Sequence, residues 1–476
     1  MYDLLIAGGG INGTAIAREA ALNGLSVLLV ERDDLACATS SASSGLIHGG
    51  LRYLEYYEFR LVREALAERE RLLRLAPHLV RPLPFVMPYA HSPRPWWMLR
   101  AGLFLYDLLA WGETLPRSRG LHARDTVYRA PLREKGRGFV YPDARVDDAR
   151  LTVLNAVDAR EAGGDIRTRT ALVAATRGSD HWRATLSDGS QVEARAIVNA
   201  AGPWVAELLA ALGVHGGAGV RLVKGSHIVV PRLYAGEHAY TLQQPDGRIV
   251  FALPWHGATA IGTTDIPVER PGDARIEAEE IAYLCEAANR YFERSIAPGD
   301  AIATWSGVRP LYDDAAADPS KVTRDYVLEL DTDGASLLSV FGGKITTARA
   351  LAEEAVEKLG QPLDRRVAPA TRERPLPGGD GDMAALEVEV AARWPFVDAA
   401  RLVSAYGTRV RRLLDGIETA ADMGEVLENG LTAREIRWMV EEEWALNAAD
   451  VLRRFAGGRL ASAAVAAGIE ALLADG

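Results

Sequence analysis

The sequence predicts a mixed α/β (α+β) protein of three units, and three observations point to it. The apolar run DLLIAG (3–8) leads into a glycine-rich turn, a helical stretch and a second apolar run, SVLLVER (26–32), in the order strand, helix, strand. Residues 221–263 hold RLVKGSHIVV, RIVFALPW and ATAIGTTD, runs of β-forming residues that read as an antiparallel meander. Beyond the Pro/Gly linker RERPLPGGDGD (372–382) the chain reads as all-helical, with TAREIRWMVEEEWAL (432–446) its clearest amphipathic stretch.

Bulk properties narrow the class. The chain has 476 residues, enough for roughly two to four domains of ordinary size. Hydrophobic residues make up 48% and charged residues 25%, as in soluble globular proteins. A net charge of −10 argues against a general nucleic-acid surface. Five of the 54 basic side chains are lysines, at 135, 224, 321, 344 and 358, so a lysine in a glycine-rich loop is more informative than an arginine. Cys37 and Cys285 form neither a disulfide framework nor zinc spacing, which points to a reducing compartment. The chain starts almost directly on a strand without a basic leader, and no apolar run reaches ~18 residues. Neither a signal peptide nor a spanning helix is therefore expected.

The remaining elements follow in order. Helical periodicity covers residues 55–76, and RPWWMLRAGLFLYDLLAW (94–111) is unusually aromatic. A helix near 147–162 precedes strands at 165–176, 181–187 and 191–199. After the meander come a helix near 277–293, strands at SGVRPLY and SLLSVFGG, and a helix from Ile345 to Leu359.

Gly8-x-Gly10-x-x-Gly13 follows a strand and opens a helix, and Glu31 ends the second strand, which is the context of a dinucleotide fingerprint. The glycines permit the tight turn and close approach of backbone to a pyrophosphate, whose charge the helix N-terminus stabilises. Glu31 can accept from ribose hydroxyls, and the fingerprint alone does not separate NAD from FAD. Two later segments favour FAD. ARAIVNAAGPWV ends a strand in small residues, including Ala201 and Gly202, and SVFGGKITTAR joins a strand to a helix through Gly342, Gly343 and Lys344. Amides at that second helix start suit the electron-rich pyrimidine edge of a flavin. Thr39, Ser40 and Ser43 form a hydroxyl-rich loop able to donate to the pyrophosphate or ribityl chain.

With these residues in hand, the sequence resembles the FAD-dependent, respiratory-type glycerol-3-phosphate dehydrogenases. GGGINGTAIA, DLACATSSASS, LIHGGLRYLEYYEFRLVREAL, VDDARL, VNAAGPWV, VKGSHIVVP, IGTTD, SGVRPL, TRDY and FGGKITT carry the resemblance, nearly continuously to about residue 350. It implies a Rossmann-like FAD-binding domain of the glutathione-reductase/D-amino-acid-oxidase type (1–80, 140–220 and 300–370), an antiparallel-sheet substrate and membrane-proximal domain (81–139 and 221–299), and a helical C-terminal domain (380–476). It further implies oxidation of sn-glycerol 3-phosphate to dihydroxyacetone phosphate, with electrons passing through FAD to a membrane quinone, in a cytoplasmic protein on the inner face of the plasma membrane. A homodimer stays open. Asn12, Arg32, His48, Gly49, Gly50, Val173, Ile345 and Thr346 join the residues above as expected cofactor contacts. One departure is Gly45, where the family commonly carries lysine (SSKLIHGG).

Oxidising a secondary alcohol removes a hydride from carbon and a proton from oxygen. Arg52 is the expected phosphate ligand, with Gly49 and Gly50 letting the backbone before it pass under a flavin ring. Arg309 is expected to stabilise developing alkoxide charge, and Lys344 to hold the phosphate or the flavin N1–C2=O edge. His227, favoured as substrate-facing, and His48, as flavin-facing, compete for the proton; Tyr53, Thr264 and Asp265 complete the expected pocket. Trp96, Trp97, Tyr106 and Trp111 suit a headgroup-level membrane anchor, with Arg94 and Arg100 near lipid phosphates. The alternatives are an oxidase delivering electrons to O₂, an FAD amine or amino-acid oxidase, and a non-catalytic FAD-binding sensor.

Overall fold

A computed structural model describes residues 1–112, 114–214, 219–313, 326–455 and 457–474. The first three residues of the TRDY motif lie outside the described residues. Among the described residues the strands form two sheets, one of eight strands and one of ten.

The first sheet runs in the order Val327–Asp331, Ser336–Phe341, Gln191–Asn199, Tyr2–Ala7, Val27–Val30, Asp165–Arg167, and every pairing along this path except the first is parallel. Val27–Val30 and Ser336–Phe341 are buried throughout, as expected for strands covered on both faces. Helices Ile11–Leu22, Asp148–Glu161 and Ala348–Gly360 cover one face with a core that includes Ile6, Ile16, Leu154 and Leu351. The antiparallel strands Leu172–Arg177 and Trp182–Leu186 and the helix Val205–Ala211 close the other. Four parallel strands end on glycine-bearing or acidic segments: Gly8 after Tyr2–Ala7, Glu31 after Val27–Val30, Ala200–Gly202 after Gln191–Asn199, and Gly342–Gly343 after Ser336–Phe341. Carboxyl ends of parallel strands are where this architecture binds ligands.

The second sheet contains the expected meander, Gly219–Pro231, Ala239–Gln243, Ile249–Trp255 and Ala258–Gly262, all antiparallel neighbours or linked through one. Two further strands, Val80–Pro88 and Gly138–Val146, extend it, the first pairing parallel to Ala239–Gln243 at Phe85 and Val86. Ala303–Asp313, placed with the nucleotide-binding unit from sequence, runs along Gly219–Pro231 and so belongs to this sheet. Helix Ala278–Asn289 packs on one face; helices Phe59–Leu75 and Trp96–Leu109 pack on the other. The C-terminal helices, among them Ala433–Glu443 and Ala448–Arg454, enclose their own core of Leu402, Tyr406, Leu413, Met439 and Val451. Thr432 starts Ala433–Glu443 with a capping box to Glu435, as a Thr-x-x-Glu sequence directs.

Candidate active site

At the nucleotide end the fingerprint is tightly built. Gly8 has φ +118°, and a Cβ there would collide with the Ala200 carbonyl; a Cβ on Gly13 would strike the Gly8 carbonyl oxygen. Helix Ile11–Leu22 starts at Gly10 without a side-chain cap, while Ser40 Oγ accepts from Ile11 N at 2.9 Å. Glu31 accepts from Gly9 N at 2.6 Å and Asp33 N at 2.9 Å, and burial raises its carboxyl pKa. Arg32 lies over the Trp204 ring, 4.2 Å from its centroid. Asn199 Oδ1 accepts from Ala201 N at 3.3 Å and Gly202 has φ +56°. Val173 is 53% exposed beside the bulge that interrupts the Leu172–Arg177 ladder.

The hydroxyl loop is largely occupied by the protein itself. Thr39 Oγ1 donates to the Val308 carbonyl at 2.7 Å, and Ser43 Oγ donates to Asp148 at 2.6 Å. Gly45 has φ +64°, and a Cβ there would sit 3.0 Å from the Val146 carbonyl oxygen, so the departure to glycine coincides with a left-handed backbone.

Two clusters lie along the segment from Ser44 to Tyr53. In the first, Lys344 Nζ is buried with no hydrogen-bond partner and stands 4.3 Å from the Tyr53 ring centroid. Gly342 (φ +75°) and Gly343 (φ +95°) precede it, and Asn12 donates to the Gly342 carbonyl at 3.1 Å while its buried Oδ1 has no partner. Thr346 is buried and Ile345 packs on the nucleotide-side core. Arg52 Nε is also buried without a partner. The pKa of His48 is lowered by burial, against the nearby Asp143 carboxylate and with Lys344 and Arg69. Asp143 takes an ion pair from Arg69 at 2.6 Å and a hydrogen bond from Tyr106 Oη at 2.7 Å, and Tyr106 Oη accepts from Gly49 N at 2.9 Å. A Cβ on Gly49 would press on Leu66 and Tyr106, so the glycine there makes room for protein packing. Gly50 has φ +72°, and a Cβ would collide with the Tyr53 ring.

In the second cluster Arg309 donates to Asp265 at 2.8 Å, to the Thr264 carbonyl at 3.0 Å and to Thr263 Oγ1 at 3.3 Å. Gly225, opposite Gly307 on the neighbouring strand, leaves the space its guanidinium fills. His227 is buried, stacked on Trp305 at 4.6 Å with 5° between planes, and Ser44 Oγ lies 2.8 Å from its Nε2. Its Nδ1 has no partner, and burial, then Arg309 and Arg459, push its pKa down to about 3. Trp305 Nε1 donates to the Ser43 carbonyl at 3.1 Å, and Arg459 of the C-terminal unit covers the Trp305 ring at 4.9 Å.

The comparisons with known proteins bear on this arrangement. Residues 3–358 match the family described as FAD dependent oxidoreductase, and residues 369–473 match the C-terminal domain of alpha-glycerophosphate oxidase. The chain is 52% identical to a glycerol-3-phosphate dehydrogenase of Pseudomonas aeruginosa, over 95% of this chain and 91% of that protein. The chain belongs to the FAD-dependent glycerol-3-phosphate dehydrogenase family. This flavoenzyme is also similar to the aerobic glycerol-3-phosphate dehydrogenase of Escherichia coli (46% identical, 95% and 93% covered) and to the D-erythritol 1-phosphate dehydrogenase of Brucella abortus (44%, 95% and 93%). Its fold matches the crystal structure of the Bacillus halodurans glycerol-3-phosphate dehydrogenase complexed with FAD, with TM-score 0.74, 26% identity, and 96% of this chain and 86% of that one covered.

FAD is the cofactor of this flavoenzyme. The residues present fit it: a helix start at Gly10, whose own residue brings no side chain to fill the space, positive-φ glycines at 342 and 343, and the partnerless Asn12 Oδ1 leave room and a polar group open at the flavoenzyme's strand ends.

Several expectations change in detail. The Thr264 side chain is buried; it donates to Glu280 at 2.7 Å and accepts from Ser226 N at 2.9 Å, so only its carbonyl reaches Arg309. Arg94 pairs with Glu55 and donates to Gln243 at 3.1 Å, which removes it from a lipid-facing role. Trp96 stacks on Phe139 at 4.1 Å and Tyr106 is buried, so both leave the expected anchor. Asp143, Arg69 and Trp305 were not singled out from sequence; a carboxylate inside the apolar run GFVYPDARV was the one available signal.

Proposed function

We propose that the enzyme oxidises sn-glycerol 3-phosphate to dihydroxyacetone phosphate and delivers the electrons to a membrane quinone. The observation that carries this reading is Lys344, whose buried Nζ has no hydrogen-bond partner among the described residues. An unpaired buried cation is costly, so its site calls for an anion. Arg52, the neighbour in sequence of the Tyr53 ring that Lys344 faces, has a buried Nε with no hydrogen-bond partner among the described residues and supplies the planar donor set that a phosphate dianion takes well.

FAD, when bound, supplies the two-electron acceptor for the C2 hydride. The chain's own residues manage the remaining charge. His227 has an open Nδ1; in the tautomer whose Nε2–H donates to Ser44 Oγ, Nδ1 is the lone pair that takes the C2 hydroxyl proton, and the negative charge of the bound phosphate opposes the burial and the Arg309 charge that hold its pKa down. Stacking on Trp305 fixes the plane of the ring. Arg309, oriented by Asp265 and the Thr264 carbonyl, offers its guanidinium to the oxygen as negative charge develops there. The test is anaerobic mixing with glycerol 3-phosphate: the visible flavin absorbance bleaches if the reading holds and persists if the protein is an inert flavin carrier. Comparing peroxide yield with quinone-analogue reduction then separates a quinone-linked enzyme from an oxidase.

The likeness to a D-erythritol 1-phosphate dehydrogenase favours a second reading, a four-carbon polyol phosphate as substrate. A kcat/KM comparison of the two phosphates decides between them.

For the acceptor, we propose attachment to the inner face of the plasma membrane through helix Trp96–Leu109. Trp97 (71% exposed) and Phe104 (61%) recur with Ala101 and Leu108 at three- and four-residue spacing, which puts them on one stripe, and Trp111 (72%) is exposed just past the helix end. Among the described residues no helix is long and apolar enough to cross a membrane. Liposome flotation of Trp97→Ser/Trp111→Ser tests the attachment: lost flotation supports it, unchanged flotation removes it.

A further inference from the structure

The C-terminal helices are tied to the nucleotide-binding unit by ion pairs sealed from water. Arg454, the last residue of helix Ala448–Arg454, donates two hydrogen bonds to the Asp34 carboxylate, each of 2.7 Å. Both side chains are buried. The same guanidinium donates to the Glu443 carbonyl at 2.6 and 3.0 Å and to the Asp450 carbonyl at 2.8 Å, so it is oriented from its own unit before it meets Asp34. Arg453 adds a second contact to Asp34.

Asp34 stands in the turn three residues past Glu31, and that turn closes on the fingerprint. Ala36 N donates to the Gly9 carbonyl at 3.0 Å, Gly9 N to one Glu31 oxygen at 2.6 Å, and Asp33 N to the other at 2.9 Å. A buried ion pair adds little net stability over a well-packed apolar pair of the same volume. What a bidentate arginine fork adds is a fixed direction.

We propose that Arg454 is a positioning residue for the cofactor: by clamping Asp34 it holds the 31–37 turn, and with it the Glu31 carboxylate, in the geometry that receives the adenosine ribose. The C-terminal unit is then part of the FAD site although none of its residues belongs to the fingerprint. The inference rests on FAD lying against Gly8–Gly13 and Glu31.

The test is the dissociation constant of FAD for apoprotein, read by flavin fluorescence quenching, in two neutralised pairs. Asp34→Asn/Arg454→Gln keeps volume at the proposed clamp. Arg401→Gln/Glu435→Gln does the same at a bidentate pair inside the C-terminal helices (2.7 and 2.8 Å), where Arg401 of helix Ala399–Tyr406 meets Glu435 of helix Ala433–Glu443. The first pair is expected to weaken FAD about ten-fold, and the second, at a similar fall in Tm, less than about three-fold. Equal losses in both pairs, or no loss in the first, overturn the proposal. Arg454→Lys, which keeps the charge and loses the fork, replaces the first pair if that variant does not fold, with the same two outcomes. Wild-type apoprotein that fails to bind FAD would instead overturn the cofactor placement.

Discussion

At the nucleotide end Glu31 already accepts from two backbone amides, Ser40 from Ile11, Thr39 donates to Val308 and Ser43 to Asp148. At the substrate end Lys344 Nζ, Arg52 Nε and His227 Nδ1 are buried with no partner. The nucleotide end sits at the carboxyl edge of the first sheet, where Gly8 and Gly202 have positive φ, whereas the other end draws on the Gly342–Lys344 loop of that sheet and on His227 of the second sheet. The difference lies in who satisfies the polar groups. Where the protein closes its own hydrogen bonds it builds a shape against which a cofactor rests; where it leaves charges open it has prepared for a ligand that brings the missing charge. Open buried charges cost stability, so their persistence marks chemistry in a way that satisfied ones do not.

This contrast can be broken at either end. Arg309→Met removes the donor set offered to the developing alkoxide, and kcat should fall by about 10²–10³-fold with flavin still bound; stopped-flow flavin reduction measures it, and a near-native rate would take Arg309 out of the site. Arg52→Ala should raise the KM for glycerol 3-phosphate by about 10- to 100-fold, the scale of one lost charge-assisted contact. At the closed end the effect should be milder and of another kind. Glu31→Gln keeps the shape and one acceptor, so FAD should weaken by no more than about ten-fold while the substrate KM of the loaded enzyme stays put.

An effect of another kind concerns stability. Burial pushes both His78 and His227 down to about 3, and His78 has no partner on either ring nitrogen. The folded state therefore holds these rings neutral, whereas the unfolded chain protonates them below about 6.5. The unfolded state binds more protons between about 6.5 and about 3, so stability declines as pH falls through that window, at most about 1.4 kcal/mol per pH unit for each ring. His78→Leu should flatten the fall in urea midpoint between pH 6 and pH 4; an unchanged slope would mean His78 is protonated in the folded protein.

The sequence made the closed end legible because its signals are local. Gly8, Gly10, Gly13 and Glu31 fall within one strand–helix–strand unit, and their spacing is the geometry. His227, Arg309 and Lys344 were recognisable through glycine neighbours and the rarity of lysine, but their partners were not. Thr264 turned inward because Glu280, sixteen residues on, offers a buried acceptor that spacing cannot reveal. Val80–Pro88 escaped notice because Pro82, Pro84 and Pro88 argue against a strand; they share one parity, so the missing N–H groups all fall on one edge, and the ladder to Gly138–Val146 still runs the whole length. The aromatic segment 94–111, read from sequence as an anchor, divides: Trp97 and Trp111 are exposed, while Trp96 and Tyr106 serve the core, a division set by which neighbours fold against it. The Asp34–Arg454 clamp joins residues at opposite ends of the chain, and no local pattern announces it.

The most direct test of the contrast is the saturation of anaerobic flavin reduction by glycerol 3-phosphate in wild type and Lys344→Met. If the open ammonium awaits the substrate phosphate, the substrate Kd rises by about 10- to 100-fold in the variant. An unchanged Kd with flavin normally bound would contradict it and assign the charge to the flavin edge instead.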